Sequence, residues 1–242
     1  MRPSKFAELH LASRPKLEAI LEELCVRYDT IVHQFRTGKD LGFAKRIMHE
    51  ITYMENVLSN FENVNKLYTR IDRILEKVCE LSGMEPVTDD HILSGLNSDS
   101  KDRISRSRHR FRTYFTPKMD GIGLFIEFEA SCYITTSGDV CIELNCCWII
   151  RDDIAYDPNQ VCKSDQAGTI ARFTPGFSRR HMIALTGGSL VLNYLAIGFI
   201  NQMIVDICDA IDTVDPDLFK KDVKEEDKFD IMDEENENAE TE

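Results

Sequence analysis

Residues 124–150 constrain the fold more tightly than any other stretch. Leu124, Ile126, Phe128, Ala130, Cys132 and Ile134 are all apolar, and Phe125, Glu127, Glu129, Ser131, Tyr133 and Thr135 alternate with them. This period of two is the signature of a strand with two distinct faces. The pattern then repeats. Val140, Ile142, Leu144, Cys146, Trp148 and Ile150 share one face, while Cys141, Glu143, Asn145, Cys147 and Ile149 share the other. Directly opposed residues must lie on the same face, so even positions pair with even positions. A two-residue Ser137-Gly138 loop breaks that rule. A three-residue loop, Thr136-Ser137-Gly138, satisfies it and puts Gly138 at the left-handed position of a bulged hairpin. The expected register sets Cys132 opposite Ile142, Phe128 opposite Cys146, and Ile126 opposite Trp148. Glu127, Glu129 and Glu143 then fall on an outer, solvent-facing side with Cys141 and Cys147. A metal site is not expected there.

The amino-terminal third has a different rhythm. Leu17, Leu21, Leu24, Tyr28, Ile31 and Phe35 are spaced 4, 3, 4, 3, 4, the heptad alternation of a helix with one apolar stripe. Ser13 is a plausible N-cap, with Pro15 in the first turn. Thr37-Gly38 reads as a stop. A second run, Ile47, Ile51, Met54, Leu58 and Phe61, keeps the same spacing. The phase slips after Phe61 and resumes at Val64, Tyr68, Ile71, Leu75 and Val78. The slip reads either as a stammer or as a break within residues 59–63. Ser82-Gly83 ends the run. Residues 1–82 are therefore expected to form a helical hairpin or coiled-coil-like stalk. Its stripe is closed either within the chain or by a protein partner, a second copy included.

Residues 83–108 lack periodicity and read as a polar linker. The linker leads into a basic cluster of Lys101, Arg103, Arg106, Arg108, Arg110 and Arg112, opposed only by Asp102. The cluster is a candidate contact for nucleic acid, for an acidic partner, or for the chain's own tail. From Asp222 to Glu242 eleven acids face two lysines, a net of −9. The 221 residues before the tail therefore hold only −4 of the formal −13. A nearly balanced body argues against a protein that coats nucleic acid through its general charge.

Strands are further expected at 109–115 and 169–174, with a loop over 152–168. Phe177–Thr186 is ambiguous. A long apolar helix follows, capped by Ser189 and ending near Asp212, with Gln202, Asp206, Asp209 and Thr213 on its exposed side. Its longest unbroken apolar-or-Gly stretch is Tyr194–Ile200, too short for a membrane span. The expected class is α+β. A helical hairpin over 1–82 leads through the linker to an antiparallel β-meander packed by the long helix, over 109–215. A disordered acidic tail, 216–242, closes the chain. This layout resembles coiled-coil-plus-head subunits of eukaryotic assemblies such as those at kinetochores, a likeness of architecture carried by no motif.

Catalytic signatures are absent. The six histidines are scattered, with His33 and His49 expected on solvated helix faces. None of the eight cysteines forms C-x-x-C. Met1–Lys5 are not followed by an apolar signal core, so the thiols are expected to be reduced and the protein intracellular, cytoplasmic or nuclear. Gly187, Gly188 and Ser189, with Arg179 and Arg180 nearby, are a candidate anion site at a helix start, without a P-loop or dinucleotide motif. The leading expectation is a non-enzymatic interaction subunit with no cofactor. The alternatives are a phosphate- or nucleotide-handling enzyme using Gly187-Gly188, and a nucleic-acid-binding protein using residues 101–112.

Overall fold

A computed structural model describes residues 6–34, 38–96, 104–105, 108–117, 123–134, 138–150, 166–174, 177–181 and 194–219. Within them lie five helices and one antiparallel sheet: α1 Phe6–His33, α2 Gly38–Ser59, α3 Phe61–Ser82, β1 Met84–Pro86, α4 Asp90–Leu96, β2 Ile104–Ser105, β3 Arg108–Pro117, β4 Leu124–Ile134, β5 Val140–Ile150, β6 Gln166–Thr174, β7 Phe177–His181 and α5 Tyr194–Val214. The chain is of mixed α+β class. The strands run β1-β3-β4-β5-β6-β7, with β2 pairing beside β1 on β3. No helix among the described residues is long and apolar enough to cross a membrane.

The central hairpin adopts the register expected from the alternation. Cys132 opposes Ile142, Phe128 opposes Cys146, and Ile126 opposes Trp148. Gly138 has φ +85°, a conformation that a side chain makes costly. Between β5 and β6 the register shifts at Cys146/Cys147, leaving Ile170 as the extra residue of a bulge; its side chain is buried. The ambiguous stretch after Pro175 begins as β7, which pairs with β6.

The even face of the sheet is covered by helices. Val64, Tyr68, Ile71, Ile74, Leu75 and Val78 of α3 are fully buried. They share one core cluster with Phe115, Ile126, Phe128 and Trp148 of the sheet and Ile200, Met203 and Ile207 of α5. Each such side chain contributes roughly 1.5–3 kcal/mol of transfer free energy. α3 ends as expected at Gly83, whose φ of +68° lets its N–H bond the Cys79 carbonyl. At the far end of α5, Asp215 accepts a 2.7 Å hydrogen bond from Arg70 Nη2 on α3. Asp206, expected on the exposed side of α5, is instead buried and accepts from Gln202 Nε2 at 2.9 Å.

The start of α1 corrects the expected cap. Ser13 and Pro15 lie inside the helix, which begins at Phe6. The reason is tertiary. Asp72 of α3 accepts hydrogen bonds from the Phe6 and Ala7 amides at 3.0 and 3.1 Å, satisfying free N–H groups of the first turn. Ser13 Oγ is spent on the His10 carbonyl at 2.6 Å. Phe6 is fully buried beside Tyr68, with ring centroids 6.4 Å apart. The phase slip after Phe61 is a break: Asn60 separates α2 from α3 with φ −103° and ψ 18°. The expected linker is also revised in part, since β1, α4 and β2 fall within it. Asp89 Oδ1 starts α4 by accepting from the amides of His91 and Ile92.

His10 lies in the α1–α3 seam. It is buried, stacks on Phe61 at 3.9 Å, and donates from Nε2 to the Phe61 carbonyl at 3.1 Å. Burial lowers its pKa from 6.5 to about 4, against the opposing pull of that hydrogen bond and of Glu62. The unfolded chain therefore takes up the proton first as pH falls. Stability present above the unfolded pKa drains away between about pH 6.5 and 4.

Two outcomes follow. Urea unfolding at pH 7 and 4.5 should show that wild type loses about 2 kcal/mol more than His10→Gln over that interval; equal losses would contradict a buried neutral His10. Asp72→Ala should cost about 1–2 kcal/mol in the same assay, and an unchanged midpoint would remove the cap that α3 gives α1.

Candidate functional site

Two surfaces stand apart from the main core, the odd face of the sheet and the outer end of the α1–α2 hairpin. On the odd face, β3 contributes Arg110, Arg112 and Tyr114, because Arg110 pairs with Ser131, Arg112 with Glu129 and Tyr114 with Glu127. β5 contributes Glu143 opposite Ser131, and β6 contributes Arg172 opposite Asn145. Three arginines therefore interleave with three glutamates.

These glutamates were expected to face solvent. Instead Glu129 and Glu143 are buried, and Glu127 is half-buried. Arg112 Nε lies 2.7 Å from Glu129 Oε2 and 3.9 Å from Glu127 Oε1, and Arg110 Nη1 lies 3.6 Å from Glu129 Oε1. Glu143 accepts from Arg172 Nε and, at 3.0 Å, from Asn145 Nδ2. Burial works against the charge on Arg112, but Glu127 and Glu129 outweigh it and push its pKa up. Burial also raises the Glu127 carboxyl, partly offset by Arg112 and Tyr114. At one end of this face a small apolar cluster forms. There Leu96 of α4 meets Tyr114, Phe125 and Ile149, flanked by Val87, Ile92 and Leu93.

This geometry narrows the chemistry of the face. Two members of the basic cluster, Arg110 and Arg112, are engaged by carboxylates of the same sheet, so a phosphate would have to compete with Glu129 for them. Arg108 is placed by its backbone in β3, and Lys101, Arg103 and Arg106 lie outside the described residues. Burial raises the Cys132 thiol to about 12 and the Cys147 thiol to about 11. Such thiols are protonated at neutral pH and poor as nucleophiles or ligands. Among the described residues no group of three His, Cys, Asp or Glu could hold a metal ion. For the candidate anion site, the backbones of Arg179 and Arg180 lie in β7, with Arg180 opposite Arg172. Gly187, Gly188 and Ser189 lie outside the described residues, as does the tail beyond residue 219.

The helical stripe is spent largely within the chain. Leu17 is fully buried in the main core. Leu24 packs with Ile47, Ile51 and Met54 of α2 in a separate cluster, which Leu21, Tyr28 and Ile31 flank. Phe35 lies outside the described residues. Beside this seam a groove of about 330 Å³ opens among Tyr28, Val32, Leu41, Ala44, Lys45, Met48 and His49. Val32, Leu41 and Met48 are 44%, 46% and 39% exposed, high for large apolar side chains that neighbour one another. His33 and His49 are exposed, as expected. The groove was not anticipated, although a signal exists. Leu41, Ala44 and Met48 are spaced 3 and 4, a second short stripe beside the one carrying Ile47 and Ile51.

Comparison with known proteins gives no match to a family model, a curated protein or a solved structure.

The ion-pair net generates a stability test. Arg112→Ala takes the nearest cation from buried Glu129 and half-buried Glu127 and should cost about 2–4 kcal/mol at pH 7. The cost should shrink toward pH 4 as Glu127, whose carboxyl burial has raised, takes up its proton. Lys77→Ala, which removes the exposed Lys77–Glu80 pair, should stay within about 0.5 kcal/mol. Chemical denaturation at both pH values checks this; equal costs for the two variants would mean that the net contributes nothing beyond a surface pair.

Proposed function

We propose that the protein is a non-enzymatic interaction subunit of a multi-protein assembly, with the helical hairpin supplying an assembly contact and the α+β part a second docking surface. The observation that carries this reading is the groove beside the α1–α2 seam. Three large apolar side chains stand open to water there, although the same two helices bury Leu24, Ile47, Ile51 and Met54 a turn away. A helix from a protein partner or from a second copy would cover them in the helix-in-groove manner. The protonated thiols and charge-neutralised arginines of the sheet favour a binding role over a catalytic one.

The test is a comparison rather than a capture. Leu41 and Met48 are exposed, so the double variant Leu41→Glu/Met48→Glu should keep its far-ultraviolet circular dichroism. A buried charge in the groove should weaken a groove-bound partner by at least about tenfold. Affinity capture and light scattering with both chains should therefore show specific proteins, or an oligomer, present with wild type and lost with the variant. Identical partners and identical mass would refute the reading.

A further inference from the structure

We infer that the groove between α1 and α2 receives the chain's own acidic tail, through the segment Phe229-Asp230-Ile231-Met232. The inference rests on the docking reading of the groove and names its occupant. Charge comes first. From Tyr28 to His49 the chain holds four Lys+Arg and two Asp, a net of +2 in a body of −4. Lys45 and His49 line the groove, and the Arg27 and Arg46 guanidinium groups lie 4.9 and 6.0 Å from the Phe43 ring centroid on the same hairpin. A second copy would bring two such basic surfaces together, whereas an acidic segment is attracted to them.

The tail has the matching composition. Within Asp222–Glu242, Phe229, Ile231 and Met232 are large apolar side chains set among Asp227, Asp230, Asp233, Glu234 and Glu235. A chain that is only acidic would bind the rim. This one also carries side chains for the apolar floor. In the earlier candidate for the tail, the basic cluster at 101–112, Arg110 and Arg112 already face Glu129.

Reach also fits. The described chain ends at Phe219, which packs on Phe173 in the main core, centroids 5.8 Å apart. The ten to thirteen residues from Phe219 to the 229–232 segment span up to roughly 33–47 Å when extended. Leu17 belongs to the same core, and Tyr28 to Val32 lie eleven to fifteen residues further along α1. At 1.5 Å per residue this sets the groove roughly 16–23 Å beyond Leu17. Tethering gives such a segment an effective concentration in the millimolar range, so weak contacts suffice. The attraction is between exposed charges and is screened by salt.

The experiment uses the purified full-length chain with a photo-crosslinking benzoylphenylalanine in place of Ile231. Irradiation should yield links within one chain to residues 28–49, at monomer mass. The yield should fall at least about threefold from 0.05 to 0.5 M salt, and the links should disappear with Leu41→Glu/Met48→Glu. Links to the sheet, links joining two chains, or no links at either salt concentration would each overturn the inference. Because no partner is present, the result is separable from the docking reading. Partners lost with the groove variant, together with an Ile231 probe that fails to reach the groove, would keep the docking surface and remove the tail.

Discussion

Burial of α3 on the even face of the sheet is the constraint on which the rest of the structure depends. Val64, Tyr68, Ile71, Ile74, Leu75 and Val78 are all removed from water. A single stripe facing one neighbour could not bury so many positions. They are covered because β4 and β5 lie on one side while α1 and α5 close the others. Two charged groups of α3 add ties of their own. Asp72 caps α1, and Arg70 holds Asp215 beyond the end of α5. Elements more than 140 residues apart in sequence are thereby tied to one helix.

The same dependence explains what was and was not legible in the sequence. The β4–β5 register was legible because a one-residue slip would turn Trp148 and Phe128 out of the core. The end of α3 was legible because Gly83 carries its own stop signal. The start of α1 was not, because its cap comes from Asp72, 65 and 66 residues away, and Ser13 offered a false local one. The outer sheet face misled for a related reason. Glutamates alternating with apolar residues read as solvent-facing, yet their arginine partners come from β3 and β6, and only the three-dimensional order of strands brings them together. Short elements such as β1 and α4 leave too few residues for any period to show.

The hairpin has a graded character. Its near half, through Leu17, belongs to the main core, while its far half is held by the smaller cluster around Leu24, Ile47, Ile51 and Met54. A helix pair held by one narrow seam, with an apolar groove beside it, is suited to gaining contacts from elsewhere. On the sheet's odd face the arginines and glutamates are matched largely with one another. The formal charge of −13 is thus divided unevenly, with an acidic tail, an internally neutralised sheet face and a mildly basic hairpin end.

The central claim is that one core organised by α3 carries the fold and that the hairpin's far half is a less stable appendage to it. Hydrogen exchange of the full-length chain, followed by mass spectrometry, tests it most directly. Phe6–Leu17, α3 and the β4–β5 pair should exchange together and slowest, with residues 25–49 exchanging markedly faster. Equal protection of 25–49 and α3, or early opening of Phe6–Leu17 independently of the sheet, would contradict it.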